Sequence, residues 1–212
     1  MKTVLVNGSS KTNGNTAFAL NEAARVLSAR GVEVERIDIG RQAIHGCIGC
    51  GGCAQKRNRE CVQFKDDPVN GWIQTMIEAD GMIIGSPVYY SGMNGALKSF
   101  LDRAFFVASA NGSLFRHKVG AGVAAVRRAG SIATLDQILH YFTISEMFVP
   151  GGNYWTEIHG RAPGEAAGDP EGLQCIRTMA ENMAWLLRMI EQTRSTLPPP
   201  AMEEKIFTNF IR

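Results

Sequence analysis

The sequence predicts a doubly wound α/β domain with a five-stranded parallel sheet and helices on both faces. Short apolar runs alternate along the chain with longer stretches whose apolar residues recur at helical spacing. Parallel neighbouring strands need crossover connections, and those crossovers bury both faces of the sheet. The 212 residues show no composition shift or polar linker, so we expect a single core.

The first half of the chain contains three predicted strands. Residues 2–7 are an apolar run that a glycine ends, and residues 15–30 place apolar side chains on one helical face. The apolar residues Val32, Val34 and Ile37 mark the second strand. A helix that ends near Asp80 leads into the apolar strand at residues 82–84, which a Gly-Ser-Pro sequence ends.

The second half of the chain continues the alternation of strands and helices. A strong helical face at residues 95–108 precedes a strand of small residues at 119–126, and another helix follows at 132–142. The apolar pair Phe148 and Val149 is predicted as the last strand.

The C-terminal part is predicted as a Gly- and Pro-rich loop at residues 151–168 followed by an amphipathic helix at 170–192. Cys175 falls on the apolar face of that helix, which favours a small core residue. We therefore expect one domain at residues 1–195 and a C-terminal arm at residues 196–212.

Composition and charge argue against several classes of protein. The formal net charge is only +2 and there is no basic tract, so no nucleic-acid partner is expected. No segment approaches the roughly 20 apolar residues of a spanning helix, and the N-terminal residues lack a signal-peptide cleavage site. We therefore expect a cytoplasmic protein with no membrane partner. In a reducing compartment, clustered cysteines favour metal or redox chemistry over disulfides.

Polar loops follow three of the predicted strands and should meet at one edge of the sheet. Ligands of doubly wound sheets bind outside the carboxyl ends of the strands. The first loop, GSSKTNGNT at residues 8–16, runs into a helix N-terminus and suits a phosphate group. It lacks the Gly-Lys-Ser/Thr ending of a nucleotide-hydrolysing P-loop. The alternative is an ordinary capped helix start.

The second and third loops offer groups that suit a flat polar ring. SPVYYSGMNGALKSFLDR, residues 86–103, combines two tyrosines with glycines, which permit stacking and close backbone approach. Arg-Arg-Ala-Gly at residues 127–130 adds guanidinium donors. The alternatives are tyrosines that serve packing and arginines that are simply solvated.

These loops, with GGNYW and DPEGL later in the chain, resemble the flavodoxin-like NAD(P)H-dependent FMN reductase superfamily. The branch that the chain most resembles is the iron-sulfur flavoproteins, which carry a similar compact cysteine motif. The resemblance implies a flavodoxin-like fold, FMN as cofactor, and a homodimer or homotetramer. It also implies NAD(P)H or ferredoxin as donor and a quinone, a flavin or another molecule as acceptor.

The resemblance also implies which residues surround FMN, all of them in the three loops. They are Ser9, Lys11, Asn13, Asn15 and Thr16 at the phosphate, Pro87, Val88, Tyr89, Tyr90, Ser91 and Gly92 at the isoalloxazine ring, and Arg127 and Gly130 at its pyrimidine side. No side chain is assigned a catalytic role, because the flavin carries the redox chemistry.

Four cysteines lie close together in CIGCGGCAQKRNREC, residues 47–61, within a cysteine-rich insert at residues 45–64. Their spacing is C-x2-C-x2-C-x7-C, and three closely spaced thiolates suit three corners of an iron-sulfur cubane. The chain has no second cysteine run, so one [4Fe-4S] cluster with the ligands Cys47, Cys50, Cys53 and Cys61 is the favoured interpretation. Free or redox-active thiols and a zinc site are the alternatives.

Two other functions are compatible with the sequence. A non-enzymatic electron carrier would bind FMN without steady-state turnover. A regulatory or interaction module would use the clustered cysteines to hold zinc or to sense redox state. Flavin absorbance and turnover distinguish these functions from that of an FMN-dependent oxidoreductase.

Overall fold

The computed structural model describes residues 1–211 and contains a five-stranded parallel sheet with the strand order β2-β1-β3-β4-β5. The strands are β1 (Lys2–Asn7), β2 (Glu33–Asp38), β3 (Gly81–Pro87), β4 (Val119–Val126) and β5 (Glu157–His159). The helices are α1 (Asn15–Ala29), α2 (Gly52–Lys56), α3 (Val69–Glu78), α4 (Gly95–Ala110), α5 (Ser131–Ile144) and α6 (Pro170–Thr193), with a 3-10 helix at Glu165–Gly168. The predicted fold class is confirmed.

Successive strand residues point into two separate apolar layers. Leu5 of β1 and Ile83 of β3 belong to the layer formed with α1 and α6. Val4 and Ile84 belong to the opposite layer, which α3, α4 and α5 complete. Because helices cover both faces, β3 and β4 are buried along nearly their whole length. This explains why both strands are continuous apolar or small-residue runs in the sequence.

The last strand was predicted at the wrong place. Phe148 forms only an isolated parallel bridge with Val119, at the start of β4, and the chain then leaves the sheet. It returns at Glu157–His159, which pairs with the end of β4. Residues 149–156 thus interrupt the edge strand. The longer of its two parts is β5, which has three residues and is largely polar. The segment at 151–168, predicted as a loop, therefore contains β5 and the 3-10 helix.

The remaining predicted elements are present with small shifts at their ends, and α2 is an addition that lies within the cysteine-rich insert. Cys175 is buried on α6, which confirms its interpretation as a core residue. Within residues 1–211, no helix combines the length and apolarity needed to cross a membrane.

Candidate functional site

Four loops meet at the carboxyl edge of the sheet, beside the switch point between β1 and β3. Backbone hydrogen bonds tie them to neighbouring strands: Gly8 N donates to Gly85 O at 2.8 Å, and Val88 N donates to Ala125 O at 3.0 Å. The cleft between the loops has a volume of about 210 Å³. It is lined by Ser9, Lys11, Gly14, Asn15, Thr16, Pro87, Val88, Tyr89, Ala125, Arg127, Gly160, Arg161 and Pro163.

Asn7 shapes the first loop, although it is not among the site residues that the sequence predicts. Its buried Nδ2 donates to the Asp38 carboxylate at 2.7 Å and to Lys11 O at 3.3 Å. Its Oδ1 accepts from Ser9 N at 3.2 Å, and Ser9 Oγ accepts from Lys11 N at 3.1 Å. Hydrogen bonds among Asn7, Ser9 and Lys11 therefore fix the backbone of the first loop to the end of β1. An asparagine at a strand end before Gly-Ser-Ser was the only sequence signal.

Helix α1 begins in the cleft with backbone donors that no described side chain caps. Its N-cap is Gly14, which has no side chain to offer. The Asn15 side chain turns to the fourth loop, where Nδ2 donates to Ala162 O at 3.0 Å and Oδ1 accepts from Ala166 N at 3.3 Å. The first-turn N–H groups and the positive end of the helix dipole suit an anion such as a phosphate.

The predicted phosphate residues are not all equivalent. Ser9 and Thr16 are buried in the wall of the cleft, and Lys11 lines it from an exposed position. Asn13 is exposed and lies outside the cleft lining. The loop thus brings two hydroxyls, one lysine and the start of α1 together at the cleft, whereas Asn13 lies outside it.

The second loop contains a tight hairpin turn at residues 89–92. Tyr89 N donates to Gly92 O at 2.9 Å, and Gly92 N donates to Tyr89 O at 3.0 Å. Tyr90 and Ser91 have φ angles of 50° and 58°, as the central residues of a type I′ turn do. This turn places Tyr90 at a fully exposed tip, while Tyr89 lines the cleft. Strained non-glycine backbone of this kind is often found at functional sites.

Gly130 joins the second loop to the third. It has a φ angle of +96°, and a Cβ atom there would lie 2.9 Å from both Ser91 Cα and Val88 Cγ1. Arg127, on the same loop, lines the cleft and is exposed, so its guanidinium can reach a ligand. Four predicted flavin-contact residues therefore do not line the cleft, but form the turn and the loop junction that support its lining: Tyr90, Ser91, Gly92 and Gly130.

The fourth loop was missed by sequence reasoning. Gly160, Arg161 and Pro163 line the cleft, directly after β5. Because the last strand had been placed at residues 148–149, nothing connected this Gly- and Pro-rich segment with the carboxyl edge of the sheet. A correct β5 would have pointed to it.

Asp169 fixes the far end of the fourth loop. Its carboxylate accepts from His159 N at 2.7 Å and, as the N-cap of α6, from Gly172 N at 2.9 Å. Burial raises the pKa of Asp169, but these hydrogen bonds together lower it by more, so the net shift is downward. The ionised form is therefore favoured in the folded chain.

The four clustered cysteines line one small cavity beside α4, of about 20 Å³. Cys53 is buried on α2, Cys61 is half-buried, and Cys47 and Cys50 are exposed. Burial raises the pKa of the Cys53 thiol, backbone N–H groups oppose this, and Cys47 and Cys61 nearby raise it further. Cys47 and Cys61 thus lie close enough to Cys53 to disfavour its ionisation.

Side chains from α3 and from the C-terminal end of α4 fix the last part of the cysteine-rich insert. Asn70 Oδ1 accepts from Cys61 N at 2.8 Å, and Asn70 Nδ2 donates to Cys61 O at 3.0 Å. Gln74 Nε2 donates to Arg59 O at 2.7 Å, and Asn111 Oδ1 accepts from Arg59 N at 2.9 Å. The insert is therefore anchored by dedicated amide groups.

Arg103 is a buried cation next to this cavity. It forms an ion pair with Asp67, and it lines the cavity together with the four thiols. Burial lowers the pKa of Arg103, but Asp67 and the neighbouring Cys61 together raise it by more. The guanidinium remains charged, and it provides a fixed positive charge beside the thiols.

The donor set at this cavity suits an iron-sulfur cluster, because it consists of four thiols. Within residues 1–211, no three or more His, Cys, Asp or Glu groups are already arranged around a metal position. The cavity has the size of about one water molecule, so a cluster requires Cys47 and Cys50 to move outward. Both are exposed, and the left-handed Gly49 and Gly51 lie in the same segment.

A family profile decides the identity of the chain. Residues 1–161 match that of NADPH-dependent FMN reductases, and they include every predicted FMN-binding residue and the four clustered cysteines. The chain belongs to the NADPH-dependent FMN reductase family. Membership of this family supports FMN binding and an oxidoreductase function.

Individual relatives agree with this assignment. Two iron-sulfur flavoproteins of Methanocaldococcus jannaschii are similar over most of the chain. One is 34% identical over 199 residues, which is 91% of this chain and 100% of its own. The other is 33% identical over 188 residues, which is 84% of this chain and 92% of its own. The resemblance to the iron-sulfur flavoprotein branch is thereby confirmed.

Solved structures share the fold. RosB with the bound intermediate 8-demethyl-8-formylriboflavin-5′-phosphate superposes with a TM-score of 0.72 at 17% identity, over 100% of this chain and 94% of its own. An archaeal flavodoxin superposes with a TM-score of 0.58 at 15% identity, over 89% of this chain and 99% of its own. At these identities the superpositions establish a common flavodoxin-like architecture.

Proposed function

We propose that the chain is an FMN-dependent oxidoreductase that moves electrons between a nicotinamide or ferredoxin donor and a quinone, a flavin or another acceptor. A [4Fe-4S] cluster at the clustered cysteines is the second redox centre of this proposal. The observation that carries it is the convergence of four polar loops on one cleft at the switch point of the sheet. The flavin-binding residues predicted from the sequence fall on three of those loops.

The loops divide the binding of FMN between them. First-turn N–H groups of α1, the hydroxyls of Ser9 and Thr16, and the Lys11 ammonium would hold the phosphate. Tyr89 and its neighbours would border the ring, and Arg127 would donate to its polar edge. FMN, when bound, supplies one- and two-electron redox chemistry. The chain's residues orient the ring, exclude water from one side and set its electrostatic surroundings.

The second centre would be held by Cys47, Cys50, Cys53 and Cys61. An iron-sulfur cluster, when bound, supplies one-electron transfer. Lys56, Arg57 and Arg59 are exposed on the same insert and add positive charge near an anionic group. Their net effect on the cluster is moderate, because solvent and salt screen exposed charges.

A turnover experiment tests the oxidoreductase proposal. Protein purified without oxygen is mixed with NADH, NADPH or reduced ferredoxin, and the reduction of a quinone, free FMN or ferricyanide is followed. Sustained turnover with at least one donor and acceptor supports the proposal. Bound FMN without turnover for any pair identifies an electron carrier instead, and bound zinc without flavin identifies a regulatory module.

Two neighbouring arginines provide a matched pair of variants for that experiment. Arg127 lines the cleft, whereas Arg128 is exposed beside it and does not. Replacing Arg127 by Ala removes a charged donor to the ring and should weaken FMN binding by about tenfold or more. Replacing Arg128 by Ala should leave FMN binding unchanged. Equal effects of the two replacements would contradict the proposed position of the ring.

We further propose a cytoplasmic homodimer or homotetramer. Tyr90, at the tip of the second loop, is fully exposed, and Tyr154, Trp155 and Trp185 are each more than half exposed. Large exposed aromatic side chains of this kind favour a protein interface. Light scattering of the FMN-loaded protein should give the mass of two or four chains, and a monomer at micromolar concentration would contradict this assembly.

A further inference from the structure

Arg103 closes the cysteine-rich insert at both of its ends. The side chain is only 1% exposed, and its guanidinium forms an ion pair with Asp67. Nη1 donates to His45 O at 3.4 Å, and Nη2 donates to Phe64 O at 3.2 Å. His45 and Phe64 are the first and last residues of the insert at residues 45–64. A single side chain from α4 therefore joins the two ends of the loop that carries the thiols.

Aromatic packing reinforces this closure. The rings of His45 and Phe64 stack with centroids 4.5 Å apart and an interplanar angle of 17°. The Arg103 guanidinium lies 5.5 Å from the centroid of the Phe64 ring, within the range of a cation–π contact. The ends of the insert are thus held by ring stacking, by two carbonyl hydrogen bonds and by a buried charge.

One donor of Arg103 is left over. Its Nε is buried and has no hydrogen-bond partner among residues 1–211. An unpaired donor on a buried cation is unfavourable, because neither water nor a protein acceptor replaces its lost hydration. The same side chain lines the cavity shared by the four thiols. A thiolate sulfur in that cavity would supply both the acceptor and the negative charge that the donor lacks.

We infer that Arg103 is a positioning residue for the thiol site. It holds the insert closed so that the four thiols share one cavity, and it offers an N–H donor to the sulfur atoms of a bound cluster. The donor role rests on the proposed [4Fe-4S] cluster, whereas the closure of the insert rests on the contacts given above. The exposed basic residues of the insert cannot replace Arg103, because solvent screens their charge.

An ion pair between Arg103 and Asp67 that served stability alone would have no effect on the iron affinity or the midpoint potential of the cluster. Replacing both partners of a buried ion pair often leaves protein stability unchanged, so such a pair is weak evidence of a stabilising role. A positioning role predicts effects at the cluster itself. Groups that orient metal ligands typically affect metal affinity when they are changed, and charges near a cluster affect its reduction potential.

The test compares Arg103→Gln and Arg103→Lys with the control Arg41→Gln, which changes an exposed arginine just outside the insert. Each protein is reconstituted with iron and sulfide without oxygen, at equal FMN content. Iron affinity should fall by about tenfold or more in Arg103→Gln and stay unchanged in the control. The midpoint potential of the remaining cluster should be lower in Arg103→Gln and close to wild type in Arg103→Lys, which keeps the charge.

Unchanged iron affinity and midpoint potential in Arg103→Gln would overturn the inference. If Arg103→Gln does not fold, as judged by FMN content, the iron affinity of Arg103→Lys is the test. It should be lower than in wild type, because Lys cannot reproduce the forked donor, and an unchanged affinity would overturn the inference. If the wild-type protein takes up no iron, the proposed cluster is wrong, and closure of the insert is tested on the metal-free protein. Alkylation of the buried Cys53 should then be faster in Arg103→Lys than in wild type, and equal rates would overturn the inference.

Discussion

Replacing Gly130 by Ala should separate two loops of the flavin cleft. Gly130 has a φ angle of +96°, where an L residue is strained by about 1–2 kcal/mol. The added Cβ would also lie 2.9 Å from Ser91 Cα, a backbone atom that cannot rotate away. Overpacking of this kind costs about 1–3 kcal/mol beyond the strain. We expect the second loop to shift and the Kd for FMN to rise about tenfold to a hundredfold.

Gly112 provides the matched control for this change. Its φ angle is +94°, so an alanine suffers similar backbone strain, but a Cβ there would meet no atom within 4 Å. The Kd is measured by quenching of flavin fluorescence on apoprotein, and urea unfolding reports the stability of each variant. Gly112→Ala should lose stability and keep its affinity for FMN. Equal FMN affinities of the two variants would refute the role given to the junction between the loops.

Three further changes test the rest of the framework. Asn15→Ala removes the hydrogen bonds to Ala162 O and Ala166 N, worth about 1–3 kcal/mol together, so amide exchange at residues 160–168 should accelerate, and unchanged exchange would contradict the anchoring role. Asn94 Oδ1 caps α4 by accepting from the Ala96 N–H at 2.8 Å, so Asn94→Ala should lower the free energy of unfolding by about 1 kcal/mol, while Asn94→Ser keeps most of it. The pKa of Asp169 is lowered in the folded chain, so its ionised form stabilises the fold above the ordinary value of 3.8, and this stabilisation is lost as the pH falls further. The stability difference between wild type and Asp169→Asn, followed by urea unfolding, should be constant near neutral pH and shrink in acid, and a constant difference down to acid pH would contradict this assignment.

The interior strands were predictable because burial on both faces restricts nearly every residue of a strand. β3 and β4 must be apolar or small at nearly every position, so they appear as continuous runs. The edge strand β5 shows no such continuous apolar run in the sequence. It has three residues, two of them polar, and the partner segment at Phe148 is separated from it by eight residues.

The candidate site was predictable at the level of loops and less so at the level of side chains. Loops that follow parallel strands must share one edge of the sheet, and the three selected loops do. Which residues line the cleft depends on the turn geometry. Tyr90 and Tyr89 are adjacent in sequence, but the type I′ turn sends the first to solvent and leaves the second in the cleft wall. Nothing local in the sequence distinguishes them.

Long-range anchors were beyond the reach of local patterns. The cysteine spacing indicated that four thiols belong together, and they line one cavity. Asn70 on α3 and Arg103 on α4 read in the sequence as ordinary polar positions of amphipathic helices. Their role depends on packing against a segment up to 58 residues away along the chain. Such partners are specified by tertiary structure.

The most direct measurement is the visible spectrum, together with the FMN and iron content, of protein purified without oxygen. We predict flavin bands with a broad iron-sulfur shoulder, about one FMN and about four iron atoms per chain, with the iron lost in Cys61→Ser while FMN is retained. Absence of FMN would contradict the assignment of the cleft. FMN without iron, even after reconstitution with iron and sulfide, would contradict the cluster at Cys47, Cys50, Cys53 and Cys61.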